Sequence, residues 1–389
     1  MLFRKDTSPQ AADGTVTGGP PEAEAGATLT VDCAAIARNW KKLSDYAAPA
    51  ECAAVVKADA YGCGIEPVVT ALAAAGCETF FVAHLAEARA VRDTLSGATI
   101  FVTNGLASGT APVFAEINAQ PVIGNLAELA EWDAFRATHK WTGGAALHFD
   151  TGMNRLGLSP NEAAALSPRC DMQNHGIALV MSHLACSDEP DHPLNDQQIQ
   201  TLREMRQLFR NIPFSMANSS GIFLGAPAHF DMVRPGIALY GGNPLPGQDN
   251  PMEPVVTFTA RIVQTRMVPE GATVGYNATW TARRPTRVAI AAAGYADGYP
   301  RPVGTSDTIA GGQALVNGQR CPVIGRVSMD LLAIDITDVP DQSPGKRRGD
   351  VVTLIGDDIG IDEFAAWGRT ISYDVLTRLG RRCHRVWKN

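Results

Sequence analysis

Short apolar runs and stretches of helical period alternate along most of this chain. The runs fall at Ala53–Val56, Thr79–Ala83, Thr99–Thr103, Pro121–Gly124, Gly144–Asp150, Gly176–His183, Pro213–Asn218 and Phe230–Arg234. Helical patterns follow most of them, at Ile65–Ala75, His84–Thr94, Asn125–Ala137, Pro160–Leu166 and Asn195–Phe209. An uninterrupted apolar run suits a strand covered on both faces. Strands that alternate with helices imply a parallel sheet. Eight such strands in this length imply a (β/α)8 TIM barrel. A doubly wound sheet is the alternative, but no G-x-G-x-x-G follows the first strand.

Near Pro251 the period changes. Val255–Val268, Thr273–Trp280, Arg287–Ala293, Ala314–Gly325, Val327–Thr337 and Asp350–Ile355 read as strands, with Asn317-Gly318 a strong hairpin signal. Helical patterns return only at Ile361–Arg369 and Tyr373–Leu379. The expected division is a flexible N-terminal extension over 1–26, a barrel over 27–252 and a mostly β C-terminal domain over 253–389. Thr28–Asp32 alternates like a strand open to pairing with the β-rich domain rather than with the barrel, and Cys33–Leu43 looks helical.

Composition narrows the class without altering this picture. The 389 residues exceed one ordinary core, and 45% hydrophobic with 19% charged residues is usual for a globular protein. A net charge of -7 and the lack of a basic run argue against nucleic acid as a partner. The eight cysteines are scattered with no C-x-x-C pair, so neither a zinc site nor a redox dithiol is indicated. Free thiols in a reducing cytoplasm are expected. No apolar stretch suits a signal peptide or a bilayer span.

The polar residues that change the picture stand at strand ends, where barrel enzymes carry their chemistry. Lys57 ends the first run, before Asp59, Gly62 and Gly64. Such a lysine either reaches solvent or is chemically employed, and a neutral amine can form a Schiff base. Asp150–Gly157 after the fifth strand reads as an ordinary turn or as a loop that binds an anion through Arg155. Asn218 and Ser219 after the seventh can cap a helix or bind phosphate at its start. Arg234, Gly236 and Ile237 follow the eighth strand, and His183 ends the sixth. Phosphate sites after strands seven and eight are frequent in barrels, which favours the binding reading.

The stretches VVKADAYG, HFDTGMNRLG, MSHLA, ANSSG, VRPGIALYG, GYADGYPR, GRVSMD and ISYDVLTRLG occur in this order. As a set they resemble the alanine racemases, pyridoxal-phosphate (PLP) enzymes with a barrel and a β domain. The resemblance extends from Ala27 to Trp387. It implies that Lys57 holds PLP and acts as one catalytic base, and that Tyr295 of the partner subunit is the second base. It implies that His183 and Arg234 assist Tyr295, with Arg234 also against the pyridine nitrogen. Tyr61, Asn218, Ser219, Gly236, Ile237 and Tyr373 would serve the cofactor, chiefly its phosphate. Arg155 and Met329 would bind the substrate carboxylate, and Tyr295 with Tyr373 would narrow the entrance to suit alanine. A cytoplasmic homodimer with shared active sites, supplying D-alanine for peptidoglycan, is the implied setting.

Three positions depart from the family pattern. His148 stands where many relatives carry a carbamylated lysine, Cys63 replaces the usual second histidine of the lysine motif, and Asn154 replaces a glycine. A broad-specificity amino-acid racemase, a barrel decarboxylase of basic amino acids and a non-catalytic PLP carrier share parts of the pattern. Arg234 in place of an acidic ring partner speaks against the decarboxylase, and carriers have no use for the portion that holds Tyr295.

Overall fold

The computed structural model describes residues 15–167, 176–340 and 347–389. The chain divides into two compact units. One comprises Ile36–Leu239 with Asn243–Glu253; the other comprises the chain up to Ala35, Tyr240–Gly242 and Pro254–Asn389.

The first unit is the expected barrel. Strands Thr79–Val82, Thr99–Val102, Gln120–Ile123, Ala145–His148, Ile177–Met181, Phe214–Ser215 and Met232–Val233 pair in parallel in chain order. The ring closes at two short strands, Glu51–Cys52 just before the first apolar run and Ala54–Val55 within it. Glu51–Cys52 pairs with Met232–Val233, and Ala54–Val55 pairs with Thr79–Val82. Ala53 and Val55 donate to Val233 and Pro235 (both 3.0 Å), while Val56 donates to Phe81 (2.8 Å). Closure of the ring excludes the doubly wound alternative. Ala53, Phe81, Phe101, Val122, Ala146, Leu179, Met181 and Met232 form a single buried cluster. Each comes from the strand segments of the ring, as expected of a barrel filled by its own side chains.

In the second unit, Val256–Val268, Thr286–Ala291, Leu332–Asp335, Gln319–Ile324, Gln313–Val316 and Val351–Ile355 pair in that order, and the last returns to the first. The hairpin Gln313–Ile324 turns at Asn317 and Gly318, both with positive φ (50° and 75°), as a two-residue turn of the right twist requires.

The N-terminal part joins the second unit, the pairing that the sequence left open for Thr28–Asp32. Ala27–Asp32 belongs to the second unit, not to the barrel: it pairs antiparallel with Val256–Ala260 and parallel with His384–Lys388. Its pattern of alternating buried and half-buried residues suits a sheet with one face packed. The range expected as an N-terminal extension also holds a strand of this sheet. Val16–Gly18 is a strand antiparallel to His384–Lys388, covering an edge that would otherwise expose unpaired backbone groups. The start of the extension lies outside the described residues.

Candidate active site

Lys57 opens a turn unlike any other among the described residues. Ala58, Asp59, Ala60 and Tyr61 all have φ between 53° and 56°, a left-handed helical turn without glycine. Left-handed geometry costs an ordinary residue about 1–2 kcal/mol, so the turn persists only because its surroundings impose it. Ala60 N–H donates to Val56 (3.0 Å) and Gly62 N–H to Ala58 (2.8 Å). Asp59 Oδ1 accepts from Ile65 N–H (2.9 Å), and Glu87 Oε1 accepts from Ala58 N–H (2.6 Å). The turn sets Lys57 at one end and buried Tyr61 at the other. Burial, then the nearby Arg155 charge, lowers the Lys57 ammonium from its usual range, and Glu87 opposes them.

The loop after Ala145–His148 is organised by Asp150, whose Oδ1 accepts from Gly152 N–H (2.9 Å) and Asn154 N–H (3.1 Å). Arg155 is exposed beyond it. His148, at the strand end, is buried. Burial, then the Arg234 and Arg155 charges, pushes its imidazole down to about 4.

Arg234 is buried among carbonyls and a hydroxyl. Nη2 donates to Ser182 O (2.6 Å) and Met216 O (3.4 Å), and Nη1 donates to Ser215 Oγ. Its guanidinium stands 5.7 Å from the Phe81 ring centre. Burial lowers it to about 9, which leaves it cationic at neutral pH. His183, near Arg234, is pushed down to about 3 by burial and then by Arg234 and Arg155. Both histidines are therefore neutral imidazoles at pH 7.

Ser219 joins the loops after the seventh and eighth strands: its Oγ accepts from Gly236 N–H (2.9 Å) and Ala238 N–H (3.2 Å). Tyr61 reaches the same place. A side chain at Gly236 would put its Cβ 2.3 Å from Tyr61 Oη, so this close approach requires glycine. Asn218 acts as a helix cap, its Oδ1 accepting from Gly221 N–H (2.8 Å) and Ser187 Oγ (2.8 Å). Ile237 is buried at the start of the short helix Ile237–Tyr240.

The remaining predicted residues lie in the second unit. Tyr295 N–H donates to Ser328 O and Ala296 N–H to Met329 O (both 3.0 Å), so Tyr295 and Met329 stand on stitched neighbouring segments. Close packing at Gly294, whose Cβ would meet Met329 O at 2.3 Å, keeps them there. Asp297 fixes the turn by accepting from Gly294 N–H (2.9 Å). Tyr373 lies on the helix Ser372–Arg378, whose final carbonyl lies against Gly298. Tyr295, Met329 and Tyr373 are exposed.

Family models match both parts of the chain: "Alanine racemase, N-terminal domain" over residues 31–244 and "Alanine racemase, C-terminal domain" over 255–387. The chain belongs to the alanine racemase family. It is 49% identical to an alanine racemase of Methylobacterium sp. (strain 4-46), over 93% of this chain and 98% of that one. It is 45% identical to a catabolic alanine racemase of Agrobacterium fabrum, over 92% and 91%. Its fold is similar to that of alanine racemase from Bartonella henselae with covalently bound pyridoxal phosphate. That likeness has a TM-score of 0.87 at 35% identity and covers 93% of this chain and 99% of the other. The enzyme is thus an alanine racemase, an isomerase.

Two departures from the family pattern acquire physical meaning. Asn154 has φ 56°, a region that glycine enters freely and that asparagine tolerates better than most residues. His148 is neutral and so brings no negative charge toward Arg155. Sequence reasoning missed the residues that hold the site: Glu87, Ser182, Ser215 and Gln198. Gln198 is fully buried, its Nε2 donating to His183 O (2.9 Å) and Thr151 Oγ1 (3.2 Å) while its Oε1 accepts from Ala185 N–H (2.9 Å). Of these, only Glu87 left a sequence signal, a carboxylate three residues after a helix-start position.

Proposed function

We propose that this alanine racemase uses PLP in a two-base mechanism, with Lys57 on one face of the substrate and Tyr295 of the partner subunit on the other. The observation that carries this reading is the convergence of Lys57, Tyr61, His183, Ser219 and Arg234 on one end of the barrel. The residues present fit the cofactor. Ser219 Oγ accepts from the amides of Gly236 and Ala238 and keeps its own hydroxyl hydrogen, which with the nearby Tyr61 Oη suits a phosphate. Arg234 is buried with no carboxylate among its hydrogen-bond partners, and a pyridine nitrogen would suit its remaining donors.

Bound there, PLP would supply the electron sink that makes the α-proton of alanine removable. Arg234, which donates only, would leave the ring nitrogen unprotonated and so favour racemisation over transamination. Lys57, its proton affinity lowered, can exchange a proton at Nζ on one face. Tyr295 Oη of the partner subunit would exchange one on the other. Neutral His183 can accept or donate a hydrogen bond in the chain that supports that tyrosine. Arg155 would bind the substrate carboxylate with the Met329 backbone, while Tyr295 and Tyr373 would limit the side chain to a methyl-sized group.

A homodimer is supported by the exposure of Tyr295, Met329, Leu331, Ile371 and Tyr373, large apolar side chains in one unit. The described cysteines form no disulfide, and no described helix is long and apolar enough to cross a membrane. Both fit a cytoplasmic enzyme supplying D-alanine for peptidoglycan. Chiral analysis of alanine, serine, lysine and arginine after incubation with PLP-loaded enzyme tests the proposal. D-alanine should form much faster than the other D-amino acids. Comparable racemisation of the basic amino acids would replace alanine specificity with broad specificity, and no racemisation while PLP stays bound would overturn the mechanism.

A further inference from the structure

The four left-handed residues after Lys57 include no glycine, so something beyond local preference holds them. Asp59 secures the far end of the turn through Ile65 N–H. The near end is secured by Glu87, which lies in the helix Leu85–Thr94 after the second barrel strand. Its Oε1 accepts from Ala58 N–H (2.6 Å), and its Oε2 accepts from Ala83 N–H (2.8 Å) and His84 N–H (3.2 Å). One carboxylate thus ties the residue next to Lys57 to the adjacent strand end.

Capping alone does not account for this. Glu128 occupies the corresponding place two strands later, in the helix Leu126–His139. Its Oε2 accepts from Gly124 N–H (2.9 Å) and its Oε1 from Asn125 Nδ2 (2.8 Å). Those bonds stay at the start of its own helix. Glu87 performs the same local task and spends its second oxygen on the lysine turn.

We propose that Glu87 is a positioning residue: by clamping Ala58 it maintains the left-handed turn and presents Lys57 Nζ and Tyr61 Oη together to the cofactor. This rests on the reading of Lys57 and Tyr61 as PLP residues.

The test compares full-length wild type, Glu87→Ala, Glu87→Gln and Glu128→Ala. It reads PLP retention on dilution, amide hydrogen exchange over residues 58–62, and Tm. Glu87→Ala should release PLP about tenfold more readily, the order expected for losing one charge-assisted hydrogen bond. Its 58–62 amides should exchange faster. Glu87→Gln, which keeps an acceptor but loses the charge, should fall between. Glu128→Ala should lower Tm yet retain PLP like the wild type. Equal PLP retention in the Glu87→Ala and Glu128→Ala variants overturns the proposal. If Glu87→Ala does not fold, unchanged retention and exchange in Glu87→Gln overturn it. Borohydride reduction and peptide mapping of the wild type separate the two levels: PLP found on a residue other than Lys57 would overturn the reading of Lys57 and the proposal together.

Discussion

Arg234 is 4% exposed and Tyr61 6%, whereas Tyr295, Met329 and Tyr373 are 43%, 52% and 40% exposed. Arg234, Tyr61 and Ser219 are set in a finished core, while Lys57 and Arg155 of the same unit are exposed. The group in the β-rich unit is just as firmly placed in its backbone, through the Tyr295–Ser328 and Ala296–Met329 bonds, but its side chains face water. Charges and dipoles act strongly only where water is excluded. On the proposed reading, the buried part of the barrel group already meets this electrostatic requirement of catalysis. The second group meets it only when covered, which is the physical argument for the proposed partner subunit.

The largest effect expected from this contrast is at Lys57. Lys57→Ala should abolish both the absorbance of bound PLP and racemisation; turnover by a yellow variant would remove Lys57 from the scheme. Tyr295→Phe comes next. It should retain PLP, because that residue lies outside the barrel cluster. It should lose α-proton exchange from one enantiomer by about a hundredfold or more, the usual contribution of a positioned acid–base group. Equal loss for both enantiomers would show that Tyr295 does not act on a single face.

The smallest expected effect concerns stability. His148 is lowered from 6.5 to about 4 in the folded protein. Below pH 6.5 the unfolded chain takes up a proton that the folded one refuses. The stabilisation is thus complete above that pH and is lost on acidification toward pH 4, by about 1.4 kcal/mol per pH unit. A His148→Gln variant should show a flatter fall of Tm across that window. An identical slope in variant and wild type would mean that His148 is not held neutral by the fold.

Much of this was legible in the chain. Eight apolar runs marked the barrel strands, because a strand buried on both faces needs no alternation to be recognised. Asn317-Gly318 marked its hairpin, because the turn requires positive φ at both positions. Lys57, His183, Asn218, Ser219 and Arg234 could be placed at strand ends by counting. The pairing of Ala27–Asp32 with the β-rich unit was open in the sequence and not fixed by it, since its partners lie more than two hundred residues away. Nor was Val16–Gly18, a three-residue strand whose only signal is the edge that it covers.

What the sequence determined by itself was the order and kind of elements, and so which residues would stand at one end of a barrel. These follow from periodicity and turn chemistry, which act over a few residues. Only the tertiary structure decided the conformation and state of those residues. Ala58–Tyr61 has only Asp59 that enters the left-handed region at all readily, yet all four residues adopt it, with Glu87 bonded to Ala58 and Asp59 to Ile65. His148 and His183 look like ordinary histidines until burial and two arginines deprive them of their charge. Strain and proton affinity depend on what surrounds a residue, and residues distant in the chain supply most of those surroundings.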